Sequence, residues 1–272
     1  MPDNDLRRLE IADLRARQLR ILDAIVEHCR RHELTVYLCA GSLLGAVRHR
    51  GFIPWDDDID IMLPRPDYEK LCATFATTGG AQQLSIRSLS TDRAYPLPFA
   101  KVCDDTTVLH VESDVIRDIG IYVDVFPLDG WLPSGPRRRL QHAGLLALQK
   151  AFKVKHLAMR SARGRAKNMV LAVGKALLGA LPARPIARAM TWVARRAEFA
   201  DSHDGGVIAW GYREVVPVAS YGTARPVEFE ERQVPAPQNT HDVLQRIYGD
   251  YMTLPPENKR VTHHRFTAYA RT

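Results

Sequence analysis

The chain has 272 residues, room for one large domain or two small ones, and its 46% hydrophobic content suits a globular protein with a sizeable core. No run reaches the roughly 18 uninterrupted apolar residues of a spanning helix, and the acidic start, Met1-Pro2-Asp3-Asn4-Asp5, lacks the basic-then-apolar layout of a signal peptide. The net charge of +7 hides an asymmetry: Arg137 to Arg196 holds 15 Lys and Arg and no acid, leaving 23 basic against 31 acidic residues elsewhere. An acidic body with one basic segment points to an anionic surface as partner, whether membrane lipid, polyanionic glycan or nucleic acid.

In chain order, Asp5 to Arg31 reads as one long helix on the stripe Leu6, Leu9, Leu14, Leu22, Ile25, Val26 and Cys29. Thr35 to Cys39 reads as a short buried strand ending in the turn Ala40-Gly41-Ser42, from which Leu43 to Val47 opens as a short helix. Arg48-His49-Arg50-Gly51 reads as a polar loop. Ile59 to Leu63 is a strand stopped by Pro64 and Pro66, and Asp67 to Phe75 a helix. Further strands are expected over Leu84–Leu89, Phe99–Val102, Thr107–His110 and Ile121–Phe126. From Arg137 to Phe199 the Ala-, Leu-, Arg- and Lys-rich stretch predicts two to four helices, with breaks near Gly164, Gly174 and Pro182 to Pro185. Gly205-Gly206 reads as a loop, Arg213 to Phe229 as strand-like patches, Thr240 as the cap of a last helix, and Tyr248 to Pro256 as an extended tail along the body. Strands with few helices between them predict a mixed sheet in an α/β (α+β) domain. The cysteines, Cys29, Cys39, Cys72 and Cys103, are widely spaced without a CxxC pair, and they read as free thiols in a reducing cytoplasm rather than a zinc site.

The chemistry concentrates in Asp56-Asp57-Asp58-Ile59-Asp60-Ile61. Alternate strand residues share a face, so Asp58 and Asp60 point one way while Ile59 and Ile61 enter the core. Adjacent carboxylates repel and need a cation, and oxygen-only ligands suit Mg²⁺ or Mn²⁺. An EF-hand does not fit, because Ile61 stands where glycine must turn. A Gly41-Ser42 turn at a helix start offers N–H groups and a hydroxyl to phosphate oxygens, and Asp124 lies on a later strand. A small turn, an Asp-x-Asp strand and a later strand Asp, in that order, are the layout of a nucleotidyltransferase-type site.

The run from Gly41-Ser42-Leu43-Leu44-Gly45 through Arg48-His49-Arg50-Gly51-Phe52-Ile53-Pro54-Trp55-Asp56-Asp57-Asp58-Ile59-Asp60 resembles the signature of the LicD family, phosphocholine transferases of bacterial surface glycans related to fukutin and fukutin-related protein. Gly120 to Asp129 resembles the family's second block, and Tyr248-Gly249-Asp250-Tyr251-Met252 with Pro255-Pro256 and Lys259-Arg260 its C-terminal block. The resemblance implies a nucleotidyltransferase-like mixed sheet with flanking helices and an inserted basic helical segment. Residues 1–135 would be the catalytic core, 136–204 the insert, and 205–272 the part that completes the catalytic domain. It implies transfer of a phosphoryl-alcohol group, phosphocholine or a similar one, from a CDP-alcohol to a glycan or glycolipid hydroxyl, with CMP leaving. Asp58, Asp60 and Asp124 would hold the metal, with Asp56 a further candidate, and Asp124 would also be the base for the acceptor hydroxyl. Gly41, Ser42, Arg48, His49, Trp55, Lys101, Lys259 and Arg260 are candidate substrate contacts, and His263 and His264 could return to the site from the tail.

Other readings stay open. Arg48 and His49 are equally a solvated loop pair, Lys101 equally the partner of a neighbouring acid, and a loop tryptophan such as Trp55 more often packs on the core. A nucleotide-sugar glycosyltransferase also uses Asp-x-Asp with a metal, and a nucleotidyltransferase would release pyrophosphate. Choline would want aromatic faces, for which Tyr37, Trp55, Tyr95, Tyr122, Trp131 and Trp210 are available. The basic residues 137–200, with Leu145, Leu146, Leu148, Phe152 and Leu157 at helical spacing, suggest either peripheral association with the inner face of the membrane or helices packed on the catalytic domain with a solvated basic face. A membrane-surface scaffold without activity fits less well, since the acids are intact. Nucleic acid is not expected, since no reading motif accompanies the charge.

Overall fold

A computed structural model describes residues 6–78, 83–111, 119–156, 165–177, 182–211, 214–261 and 266–271. Strand β1 (Leu6–Arg8) comes first, and the helix expected from Asp5 begins only at Ile11, as α1 (Ile11–Arg31). Leu6, Arg7 and Arg8 pair antiparallel with β11 (Phe266–Arg271), a strand the sequence reading did not contain. Periodicity cannot register a partner so far along the chain. Within α1, Leu14, Gln18, Ile21, Leu22, Ile25 and Cys29 form the buried face at helical spacing.

The elements that follow are β2 (Tyr37–Leu38), α2 (Ala40–His49), β3 (Asp60–Pro64), α3 (Arg65–Thr78), β4 (Leu84–Arg87), β5 (Ala100–Val111) and β6 (Ile119–Gly130). Two strands were expected where β5 is continuous. The polar stretch that suggested a break is a register shift between Asp104 and Leu109. There the buried Asp104 carboxylate receives Arg17 at 2.8 Å and Arg20 at 2.7 Å from α1.

The sheet runs in the order β1-β11-β5-β6-β3-β2, with β4 beside β5. Along this path only β3 and β6 are parallel. Gly205 and Gly206 are strand rather than loop: β7 (Asp204–Gly206) pairs with the end of β6 and with β8 (Val216–Pro217). A Cβ on Gly205 would stand 2.9 Å from the Asp129 carbonyl and from the Phe199 ring, so the close approach requires glycine.

Residues 136–194 contribute α4 (Pro136–His156), α5 (Arg165–Leu177) and α6 (Ala183–Ala194). Leu145 and Phe152 on α4 and Ile186, Ala187 and Met190 on α6 are buried, while Leu148 packs against the core. α5 rests on α4, where a Cβ on Gly174 would meet Val154 at 3.1 Å. After α7 (Val218–Tyr221), the hairpin β9 (Arg225–Phe229) and β10 (Arg232–Ala236) packs on α2. The last helix, α8 (Thr240–Tyr248), is capped by Asn239, whose side chain accepts the Asp242 N–H at 3.1 Å, and not by Thr240. Tyr248 closes α8, and a 3-10 turn follows at Glu257–Lys259. The four cysteines are buried and free. Among the described residues no helix is long and apolar enough to cross a membrane.

Candidate active site

Three neighbouring strands bring charge into one row. In the parallel pair β3 and β6, Asp60 lies opposite Asp124, and in the antiparallel pair β5 and β6, Lys101 lies opposite the same Asp124. Lys101 Nζ forms a buried ion pair with Asp124 Oδ1 and sits 3.4 Å from the centroid of the Tyr122 ring. Burial opposes the ammonium charge, but Asp124 and Tyr122 outweigh it and raise the Lys101 pKa. Of the two readings of Lys101, the structure gives the ion pair.

The acidic loop leads into β3. Ile59 and Ile61 are fully buried while Asp58 and Asp60 are half-covered, the alternation that the sequence predicts. The strand itself opens at Asp60, so Asp58 stands two residues ahead of it. Among the described residues, carboxylate oxygens converge within 4.8 Å at Asp56, Asp57 and Asp58. Burial pushes the Asp60 carboxyl well up, as do the charges of Asp58, Asp124 and Asp56, with Lys101 opposing them. One lysine does not balance these acids. A set of hard oxygen donors with excess negative charge fits a divalent cation such as Mg²⁺.

Two residues of α1 that sequence reasoning missed hold this loop. Arg15 Nη2 donates to the carbonyls of Asp56 at 2.7 Å and of Ile53 and Pro54 at 3.3 Å each. Gln18 Nε2 donates to the Asp57 carbonyl at 2.9 Å. On a helix surface Arg15 reads as solvated, and nothing local marks it as a backbone clamp.

Gly41 and Ser42 lie in the first turn of α2 rather than in a turn before it. Cys39 precedes them with extended backbone and supplies no side-chain cap, and Ala40, at φ 46°, swings the chain into the helix. A Cβ on Gly41 would stand 2.8 Å from Asp56 Oδ2, so glycine admits that carboxylate to the uncapped helix start. Ser42 Oγ accepts the Asp60 N–H at 2.8 Å, so the hydroxyl oxygen ties α2 to β3 and only its hydrogen is left to donate.

Arg48 and His49 occupy the last turn of α2 and are not a polar loop. Arg48 Nε donates to His49 Nε2 at 2.9 Å, and Arg48 Nη1 donates to the Tyr251 carbonyl at 2.8 Å. Arg48 thus ties the C-terminal block to α2. Trp55 is half-buried against the core, edge-on to His49 with centroids 6.3 Å apart, and 5.7 Å from the Arg260 guanidinium. Arg260 therefore returns to the acidic loop, whereas Lys259 is exposed. His263 and His264 lie outside the described residues.

The six aromatic residues do not gather into one cage. Tyr37 lies near Tyr221 and Trp131 near His142, Trp210 meets Phe99, and Lys101 covers the Tyr122 face. Two other groups join the site region. Tyr248 keeps 42% of its surface exposed, while desolvation of its phenol end and then Asp60, Glu214, Cys39 and Asp56 push that phenol up. Glu214 accepts the Val207 N–H at 3.0 Å, and burial pushes its carboxyl up to about 7. Tyr248 opens the C-terminal block and was legible as such, whereas Glu214 stands in a segment without a motif.

Acids on adjacent strands of a mixed sheet, beside the uncapped start of a helix, define a nucleotidyltransferase-type domain. Residues 33–131 match the family model described as LicD/FKTN/FKRP, nucleotidyltransferase domain. The chain is 27% identical over 271 residues to the lipopolysaccharide cholinephosphotransferase LicD of Haemophilus influenzae, covering 97% of this chain and 99% of that protein. It is also 28% identical to uncharacterised proteins of Rickettsia typhi, over 47% of this chain and 40% of the relative, and of Rickettsia prowazekii, over 42% and 41%. Both matches support the resemblance to the LicD family.

Proposed function

We propose that this protein is a transferase for substituted phosphate groups. It moves a phosphoryl-alcohol group, phosphocholine or a close analogue, from a CDP-alcohol to a hydroxyl of a cell-surface glycan or glycolipid. The observation that carries this reading is the row Lys101, Asp124 and Asp60, flanked by Asp56 and Asp58 at the start of α2. The similarity to the Haemophilus influenzae enzyme, whose name gives a lipopolysaccharide acceptor, supports the glycolipid side. In this reading residues 1–135 and 205–272 form one catalytic unit, and residues 136–204 are a helical insert that works at the inner face of the membrane.

Asp58, Asp60 and Asp124, with Asp56, would hold Mg²⁺ or Mn²⁺, which when bound neutralises the anionic donor and the attacking oxygen. The remaining chemistry falls to the protein's own groups. N–H groups at the start of α2 and the Ser42 hydroxyl face phosphate oxygens, Arg48 and Arg260 add positive charge along the rim, and His49, neutral as the acceptor of Arg48 Nε, offers its other ring N–H. Trp55 offers a face to the base or the alcohol head group. Asp124 takes the proton of the acceptor hydroxyl as its oxygen attacks phosphorus. A new ester O–P bond forms, the pyrophosphate P–O bond breaks, and CMP leaves with the electron pair.

The test is a screen of CDP-alcohols with Mg²⁺ and Mn²⁺, reading CMP release and product mass. CMP with a phosphodiester gain on the acceptor supports the reading. Pyrophosphate release makes the enzyme a nucleotidyltransferase, and a bare glycosyl gain from a nucleotide sugar makes it a glycosyltransferase.

A further inference from the structure

A surface helix normally turns its apolar side to the core and its polar side to water. α5 departs from this. Gly174 is the side that meets α4. With about 100° per residue, Met169, Ala172 and Ala176 fall on the opposite side and Val173 on the adjoining flank. All four are exposed, Met169 to 66% and Val173 to 55%. By contrast, Leu145, Leu148 and Phe152, which the sequence left open between a membrane and the core, pack inward, and Leu157 lies outside the described residues.

The outward apolar stripe lies in the segment that has 15 Lys and Arg and no acid from Arg137 to Arg196. Lys150 and Lys153, within about one turn of Val154 on the neighbouring α4, are exposed. Two occupants of such a surface are disfavoured by its charge and shape. A second copy would bring the same acid-free segment against itself, and like charge repels. A nucleic acid would use the cations but leave Met169 and Val173 without a partner. An anionic bilayer satisfies both features, with apolar side chains entering the acyl boundary and cations meeting headgroups.

We infer that the outward face of α5, Met169, Ala172, Val173 and Ala176, is the surface by which this protein docks on an anionic lipid bilayer. This rests on the proposed membrane-side action and narrows it from a whole segment to one helix face. Docking there makes the association peripheral and reversible, since the stripe is about two turns long and, among the described residues, no helix is long and apolar enough to cross a membrane.

The test is co-sedimentation of the full chain with vesicles of equal parts phosphatidylglycerol and phosphatidylcholine, or of phosphatidylcholine alone, at low and high salt. The wild type is expected on the anionic vesicles at low salt and to be largely released at high salt. The double variant Met169→Glu/Val173→Glu is expected to lose about tenfold or more in affinity, with an unchanged melting curve. Ala172→Glu/Ala176→Glu is the second variant, expected to behave alike. Failure of the wild type to bind at low salt overturns the proposal, as does undiminished binding of both variants or preference for RNA over vesicles. No donor or acceptor is present, so these outcomes are independent of the CMP-release test.

Discussion

Lys101 and Asp124 face each other across β5 and β6, and their side chains form a buried ion pair over the Tyr122 ring. Asp60 stands on the other side of Asp124, on β3. One carboxylate is therefore set between a cation built into the fold and the acid cluster that calls for a second cation. Lys101 fixes the charge and direction of Asp124 before any substrate arrives.

Breaking this pair should be costly, because a buried ion left alone is worse than none. Lys101→Met is expected to destabilise the protein by about 3–5 kcal/mol, and Lys101→Met/Asp124→Asn to recover much of that loss. Urea denaturation of the single and double variants decides it. A double variant no more stable than Lys101→Met alone would refute the coupling.

Asp58→Asn and Asp60→Asn should each lower transfer by about 100-fold or more while leaving the fold intact. The Asp60 carboxyl is pushed well up, so its ionisation costs stability as pH rises above the unfolded value. Asn at that position should leave metal-free stability near pH 7 unchanged or higher. The companion measurement is the rise in melting temperature with Mg²⁺, expected for the wild type and blunted in both variants. Asp124→Asn is expected to lose activity but keep measurable donor binding by calorimetry.

Glu214 gives a pH signature of its own. Its folded pKa of about 7 exceeds the ordinary 4.5, so the native state holds its proton longer than the unfolded chain. No penalty exists below about pH 4.5; it grows from there and is complete above about pH 7, reaching of order 3 kcal/mol. Glu214→Gln keeps an oxygen for the Val207 N–H and removes the charge. Stability of the variant should stay flatter than that of the wild type between those pH values, and parallel curves would exclude this role.

Arg15→Ala should weaken Mg²⁺ binding by about 10–100-fold through the loop carbonyls that Arg15 holds. Its readout is the Mg²⁺ concentration needed to raise the melting temperature. An unchanged midpoint would show that the loop keeps its shape without the clamp.

What was legible in the sequence followed from local pattern. The Asp58 and Asp60 alternation, the strand that bears Asp124 and the helix-rich stretch after Pro136 are each set by neighbours a few residues apart. Pairings across the chain were not. β1 and β11 are short, and each needs the other or β5 to exist as a strand. The glycines of β7 mimic a loop because their strand role lies in closeness to Asp129 and Phe199. Ser42 and Arg48 stood out as candidate substrate contacts, but their hydrogen bonds to Asp60 and Tyr251 depend on the assembled fold.

Because β11 lies between β1 and β5, a ribosome must deliver residues 266–271 before the first strand of the chain can join the sheet. Asp56, Asp58, Asp60 and Asp124 are all translated well before that, yet the sheet that carries them cannot close until residues 266–271 have emerged. Through that interval the Thr107–Val111 edge of β5 offers unpaired N–H and C=O groups to any passing strand. The nascent protein is thus exposed to mispairing until those residues emerge, and chaperone demand should fall on the long β5 edge.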